Sequence, residues 1–158
     1  MHGPVHETFV IETDIEVGPA EVFAAYADVH VRVEWAAPGS DVIVYDKADF
    51  TVGSGDAFHC GPKDDPRFHG RVWYHEIVPD ERLVYVESVR DGDQMLSIAM
   101  VTLELLPSRD GTRLRSTTQM MSFVGLQMVA DSKSGTRAAL NNLAGWFFRT
   151  AYGDEECL

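Results

Sequence analysis

Positive charge is scarce in this chain. Thirteen lysines and arginines stand against twenty-five aspartates and glutamates, a formal charge of −12 over 158 residues. So few cations cannot build the concentrated basic stripe that phosphate backbones require, which argues against nucleic acid as a partner. Docking on anionic lipid is disfavoured for the same reason. Acidity names no partner of its own, and solubility is its ordinary consequence. Cysteine is equally sparse. Cys60 and Cys157 lie far apart, so free thiols in a reducing cytoplasm are expected rather than a disulfide. The opening "MHGPVHETFV" has neither the basic nor the apolar region of a secretory signal, and no apolar run is long enough to span a bilayer.

Several catalytic and metal signatures are missing too. There is no Cys-x-x-Cys and no His-Glu-x-x-His. His59 and Cys60 are adjacent, so from a regular strand they point to opposite faces and cannot share an ion. His69 and His75 share a face with Arg71 and Trp73, the mixture of a solvated surface. Ser54 lies in Gly-Ser-Gly rather than in a nucleophile elbow. No Gly-Lys-Ser/Thr follows the glycines of "VGSGDAFHCG", as a phosphate loop would require. Neither a metal nor a cofactor is expected. Repeats, low-complexity tracts and linkers are also lacking, so residues 1–158 read as one domain with a core from about 8 to 151.

What is present is alternation. "TFVIETDIEV" places Phe9, Ile11, Thr13, Ile15 and Val17 on one face and reads as a strand. Gly18 ends it. Pro19 then suits a first helical turn, with Glu21 near the positive end of the dipole, and Val22, Phe23, Tyr26 and Ala27 form one apolar side. "DVHVRVEWAAPG" is ambiguous. Its valines alternate as in a strand, yet Val29 with Val33 and Val31 with Trp35 are also i,i+4 helical pairs. "VIVYDK", "GSGDAFHCG", the hairpin "RFHGRVWYHEIVPDERLVYVESV", "QMLSIAMVTLELL" and "RLRSTTQMMSF" supply further strands joined by short turns. "SGTRAALNNLAGWFFRTAY" has helical spacing, with Ala139, Leu143, Trp146, Phe147 and Thr150 near one stripe. Consecutive hairpins make an antiparallel sheet with one face to cover, and the final helix is the element large enough to cover it. One helix does not fill the inside of a curling sheet, so a cavity between them is physically reasonable.

"EVFAAYADVHVRVEWAAPG", "FHGRVWYHEIVPDERLVYV" and "VTLELLPSRDGTRL", in that order, resemble the START-like (SRPBCC) superfamily, and within it the heat-shock protein 90 ATPase activator-like domains. The resemblance implies an α+β helix-grip fold. Its features are a curved seven-stranded antiparallel sheet around a long C-terminal helix, and two short helices after the first strand. It makes residues 29–35 the second of those helices, closed by Pro38-Gly39. Trp35 then matches the tryptophan that family members carry near the cavity mouth, unless it merely plugs the sheet edge.

Candidate chemistry follows from the strand faces. Along "FHGRVWYHEIV", Phe68, Gly70, Val72, Tyr74 and Glu76 share the face expected to look inward, on the argument that Gly70 lets the helix approach closely. Tyr85 and Glu87 share a face of the next strand. Glu76, Tyr74 and Glu87 are therefore the acid–base candidates, since a carboxyl against an apolar wall gains a raised pKa. Small and hydroxyl residues mixed with apolar ones suit a cavity better than a solid core. The residues expected to touch a ligand are Trp35, Phe58, Tyr74, Tyr85, Ala99, Val101, Ser116, Thr118, Met120, Leu143, Trp146 and Phe147. "SFVGLQMVADSKSG" lacks strong periodicity and reads as a connection near the opening, suited to a lid. The leading expectation is binding of a small apolar or amphipathic molecule by a monomer or homodimer. The alternatives are an enzyme of polyketide cyclase, dehydratase or hydrolase type, and a co-chaperone-like interaction module.

Overall fold

The computed structural model describes residues 3–152, Tyr152 for its backbone alone; Cys157 lies outside them. The elements are β1 (Val5–Ile15), α1 (Pro19–Ala27), α2 (Val29–Trp35), β2 (Val42–Lys47), β3 (Gly55–Gly61), β4 (Phe68–Val78), β5 (Arg82–Asp91), β6 (Gln94–Ser108), β7 (Gly111–Ser122) and α3 (Leu126–Tyr152). The seven strands form one antiparallel sheet in the order β1-β7-β6-β5-β4-β3-β2. Consecutive strands β1 and β2 therefore lie at opposite edges, and the chain crosses between them through α1 and α2.

The ambiguous stretch is helical, as the resemblance implies. Asp28 caps it, its Oδ1 accepting from the His30 N–H at 2.9 Å. That bond satisfies a donor the helix cannot. The buried face differs from the one the valines suggest. Arg32 and Trp35 turn inward, whereas Val33 is exposed. The indole of Trp35 donates to the Ala25 carbonyl at 3.2 Å and meets the Tyr26 ring edge-on, which locks α2 against α1.

A second departure is a bulge in β4. The register slips between Tyr74 and Glu76, with His75 as the extra residue. A bulge of this kind inverts every later side chain. Phe68 to Tyr74 keep the expected alternation, but beyond His75 it is Ile77 that packs on the core. Glu76 instead pairs with Arg82 at the surface. The inward placement expected for Glu76 is corrected accordingly. Gly70 also has a different role from the one expected. A Cβ there would lie 2.1 Å from Cζ of Phe58, so the glycine makes room for that ring rather than for a helix.

The third departure is the length of α3, which begins at Leu126 rather than near Ser134. The region read as a connection is its first turns, after Gly125 at φ +91°. The two halves of α3 have different surroundings. In the C-terminal half Leu140, Leu143 and Phe147 are buried against the sheet, in the same core as Ile11, Ile15, Leu103 and Leu114. In the N-terminal half no side chain is fully buried. The reason is a space beneath it.

Candidate functional site: a cavity between sheet and helix

The register sets the site out in rows across the inner face of the sheet. One row runs Leu83, Leu103, Ser116, Ile11; the next Tyr74, Tyr85, Val101, Thr118, Phe9. A third runs Asp56, Val72, Glu87, Ala99, Met120, and a fourth Phe58, Gly70, Val89, Ser97, Ser122. Most residues of these rows, all but Ile11, Asp56, Gly70 and Ser122, floor a cavity of about 550 Å³, within the roughly 300–1,000 Å³ usual for small-molecule sites. Met128, Asp131, Ser132, Thr136 and Ala139 of α3 roof it, and Trp35, Pro38 and Asp41 border it from the α2 side.

Polarity enters at two places. The first is a closed triad. Nη1 of Arg32 donates to Oδ2 of Asp56 at 2.8 Å and to Oη of Tyr74 at 3.0 Å, while the Tyr74 hydroxyl donates to the same Oδ2 at 2.6 Å. The other carboxylate oxygen of Asp56 accepts from the Asp49 N–H at 2.9 Å. The guanidinium also lies over the Tyr45 ring, 4.9 Å from its centroid. Burial raises the Tyr74 phenol far above its ordinary range, and the bond to Asp56 adds to this; the nearby arginine opposes it. Tyr74 is therefore a neutral hydrogen-bond donor, fully engaged.

The second is Glu87. Its carboxylate borders the cavity and has no hydrogen bond or ion pair to any described residue. Part of its surface is open to the cavity, yet protein atoms crowd it, Val72 and Ala99 pairing with it on the two flanking strands. Burial pushes its pKa from the ordinary 4.5 to about 7. The neighbouring groups respond in the same direction. Burial lifts Cys60 to about 11, with the negative charge of Glu87 contributing, and lifts the phenol of Tyr85 well above 10. Tyr45 rises to about 12, chiefly through burial.

Comparison with known proteins decides the family. Residues 16–147 match the family described as activator of Hsp90 ATPase homolog 1-like protein. The chain belongs to that family, a branch of the START-like superfamily. Among solved structures, the protein Mll3558 of Rhizobium loti is 34% identical with a TM-score of 0.81, over 91% of this chain and 99% of its own. A protein of Rhizobium leguminosarum is 23% identical with a TM-score of 0.80, over 93% and 97%. DynU16, from the dynemicin biosynthetic locus, shares the fold at 15% identity and a TM-score of 0.70, over 90% of this chain and 48% of its own. No match is found among proteins of curated function.

Within this START-like domain, Trp35, Phe58, Tyr74, Tyr85, Ala99, Val101, Ser116, Thr118 and Met120 all border the cavity, as does Glu87. Leu143, Trp146 and Phe147 do not. They lie on the closed half of α3, where Leu143 is fully buried and the Trp146 indole donates to Oε2 of Glu34 at 2.6 Å, tying α3 to α2. The expectation for these three is corrected. The helical stripe was read along the half that packs, and the half that faces the cavity is small and polar, so it carries no stripe. Arg32 and Asp56 were not anticipated. An arginine in a short helix reads as surface, and nothing local marks a partner twenty-four residues away.

His59 and His69 lie on the outer face of the sheet, their rings 5.2 Å apart, and Nδ1 of His59 is 2.9 Å from Asp46. Among the described residues no cluster of three or more His, Cys, Asp or Glu is arranged to hold a metal, and no helix is long and apolar enough to cross a membrane.

Proposed function

We propose that this protein binds a small, largely apolar molecule in the cavity between its sheet and α3. Family membership supports a ligand-binding or cyclase-like role in general. The observation that carries the reading is the open space of about 550 Å³, floored by side chains of all seven strands and roofed by the small residues of α3. A chain needing only stability would fill such a space, because an empty cavity forfeits packing at about 24 cal/mol per Å³. Native mass spectrometry of freshly purified protein, with titration of the neutral dye N-phenyl-naphthylamine, tests it. A bound mass released on denaturation, or saturable dye fluorescence, is expected. No adduct and no dye binding would overturn the reading.

A second reading is favoured by Glu87 alone. A carboxyl with a pKa near 7, facing a cavity, is poised for general acid–base work of the cyclase, dehydratase or hydrolase kind. With a substrate in hand, Glu87→Gln should abolish turnover; unchanged rates would reject it. Glu76 has no part in this reading because it lies outside the cavity. The co-chaperone-like role draws on the family's description alone and is not proposed.

A further inference from the structure

The charges around the cavity restrict what can enter. Among the described residues Arg32 is the one cation that borders it, and its charge is paired with Asp56. Its Nη1 serves Asp56 and Tyr74, its plane rests on Tyr45, and its Nε is enclosed away from the open space. Three carboxylates border the same space, Asp41 and Asp131 toward the α2 and α3 side and Glu87 on the floor. Of these, Glu87 faces the cavity with no donor from the protein. Aromatic side chains border the same cavity, those of Tyr26, Tyr45, Phe58, Tyr74 and Tyr85, and Tyr45 and Tyr85 are near enough to sense the charge of Glu87. Aromatic faces attract cations and are indifferent or repellent to anions.

The geometry points to a ligand that carries a protonated amine on a compact apolar body, its nitrogen seated against the Glu87 carboxylate among the tyrosine rings. This deepens, and rests on, the binding reading above. An organic carboxylate or phosphate of the same size is excluded by the same arrangement. It would meet an unpaired carboxylate on the floor and two more at the border, with the lone guanidinium already paired. The ammonium gives Glu87 the donor that the protein does not supply, since a charge-assisted bond replaces the water that the carboxylate gives up. Burial, which raises its pKa, is the cost that such a bond offsets.

Three probes with one aromatic body test this: naphthylmethylamine, naphthylmethanol and naphthoate, titrated into the full chain by calorimetry at about pH 8, where Glu87 is ionised. The amine should bind at least about tenfold more tightly than the alcohol, the order expected of a hydrogen bond to a charged group, and naphthoate most weakly. In Glu87→Gln the amine should fall to within about twofold of the alcohol measured on the same variant, whose circular dichroism and thermal transition certify the fold. An amine no tighter than the alcohol in the wild type, or naphthoate tighter than either, would overturn the inference and leave the binding reading standing. If none of the three binds, both fall.

Discussion

Arg32 and Asp56 meet at 2.8 Å with side chains only 8% and 0% exposed, and a tyrosine hydroxyl completes their pairing. The pair joins α2 to β3, two elements with no other polar link of this kind, and its arginine borders the cavity. Breaking one side of a buried pair leaves the other charge uncompensated, at a cost of about 3–5 kcal/mol. Asp56→Ala should therefore lower unfolding free energy in urea by about 3 kcal/mol or more. The double replacement Arg32→Met with Asp56→Ala should recover much of that loss. A double variant as unstable as the sum of the singles would show that the two do not act together.

Glu87 makes stability depend on pH in a direction opposite to that of a salt-bridged carboxylate. Its folded pKa, about 7, lies above the ordinary 4.5, so between those values the folded chain holds the proton more tightly than the unfolded one. Stability must fall as pH rises through this window and stay low above it, by about 3 kcal/mol at most. Glu87→Gln removes the effect. Relative to wild type, the variant should be more stable at about pH 8 and nearly equal at about pH 4, below the unfolded pKa, as read from urea midpoints. A difference independent of pH would show that Glu87 is hydrated and unshifted.

Gly70 has no space for a methyl group. A Cβ would lie 2.1–2.7 Å from three ring carbons of Phe58, so Gly70→Ala should cost about 1–3 kcal/mol through displacement of that ring. Phe58→Leu, which frees the position, should reduce the further cost of Gly70→Ala to near zero in the double variant. Gly55 is a harsher case, because its Cβ would meet the Val72 carbonyl oxygen at 1.7 Å and backbone cannot step aside. Gly55→Ala should exceed Gly70→Ala in thermal denaturation.

Ala99 lies between Glu87 and Met120 on the cavity floor. A larger residue there has open space to occupy, unlike an insertion into a packed core. Ala99→Phe should weaken binding of N-phenyl-naphthylamine by at least about tenfold while moving the melting temperature by no more than about 3 °C. A large loss of stability would mean that the floor is already filled.

Alternation and turn chemistry made the sheet readable. Side chains along a strand need only a period of two, and Gly18, the Val-Pro-Asp-Glu-Arg turn and Gly111 mark where strands stop. From this, most of the cavity floor followed. What failed to show was what depends on distant partners or on one inserted residue. His75 shifts the parity of β4 without any local mark, which sends Glu76 outward and Ile77 inward. Arg32 displaces Val33 from the buried face of α2 because Asp56 and Tyr74 wait for it across the fold. The first turns of α3 looked irregular because a helix over a void needs no apolar stripe.

The same helix divides close packing from open space along its length. Leu140, Leu143 and Phe147 secure the fold at one end, where change is punished by loss of packing. Ser132 and Thr136 border the cavity at the other, outside that core, so those positions can change in size and polarity at little cost in packing. Under the proposed binding role, a change of guest would fall on a few positions at one end of a single rod.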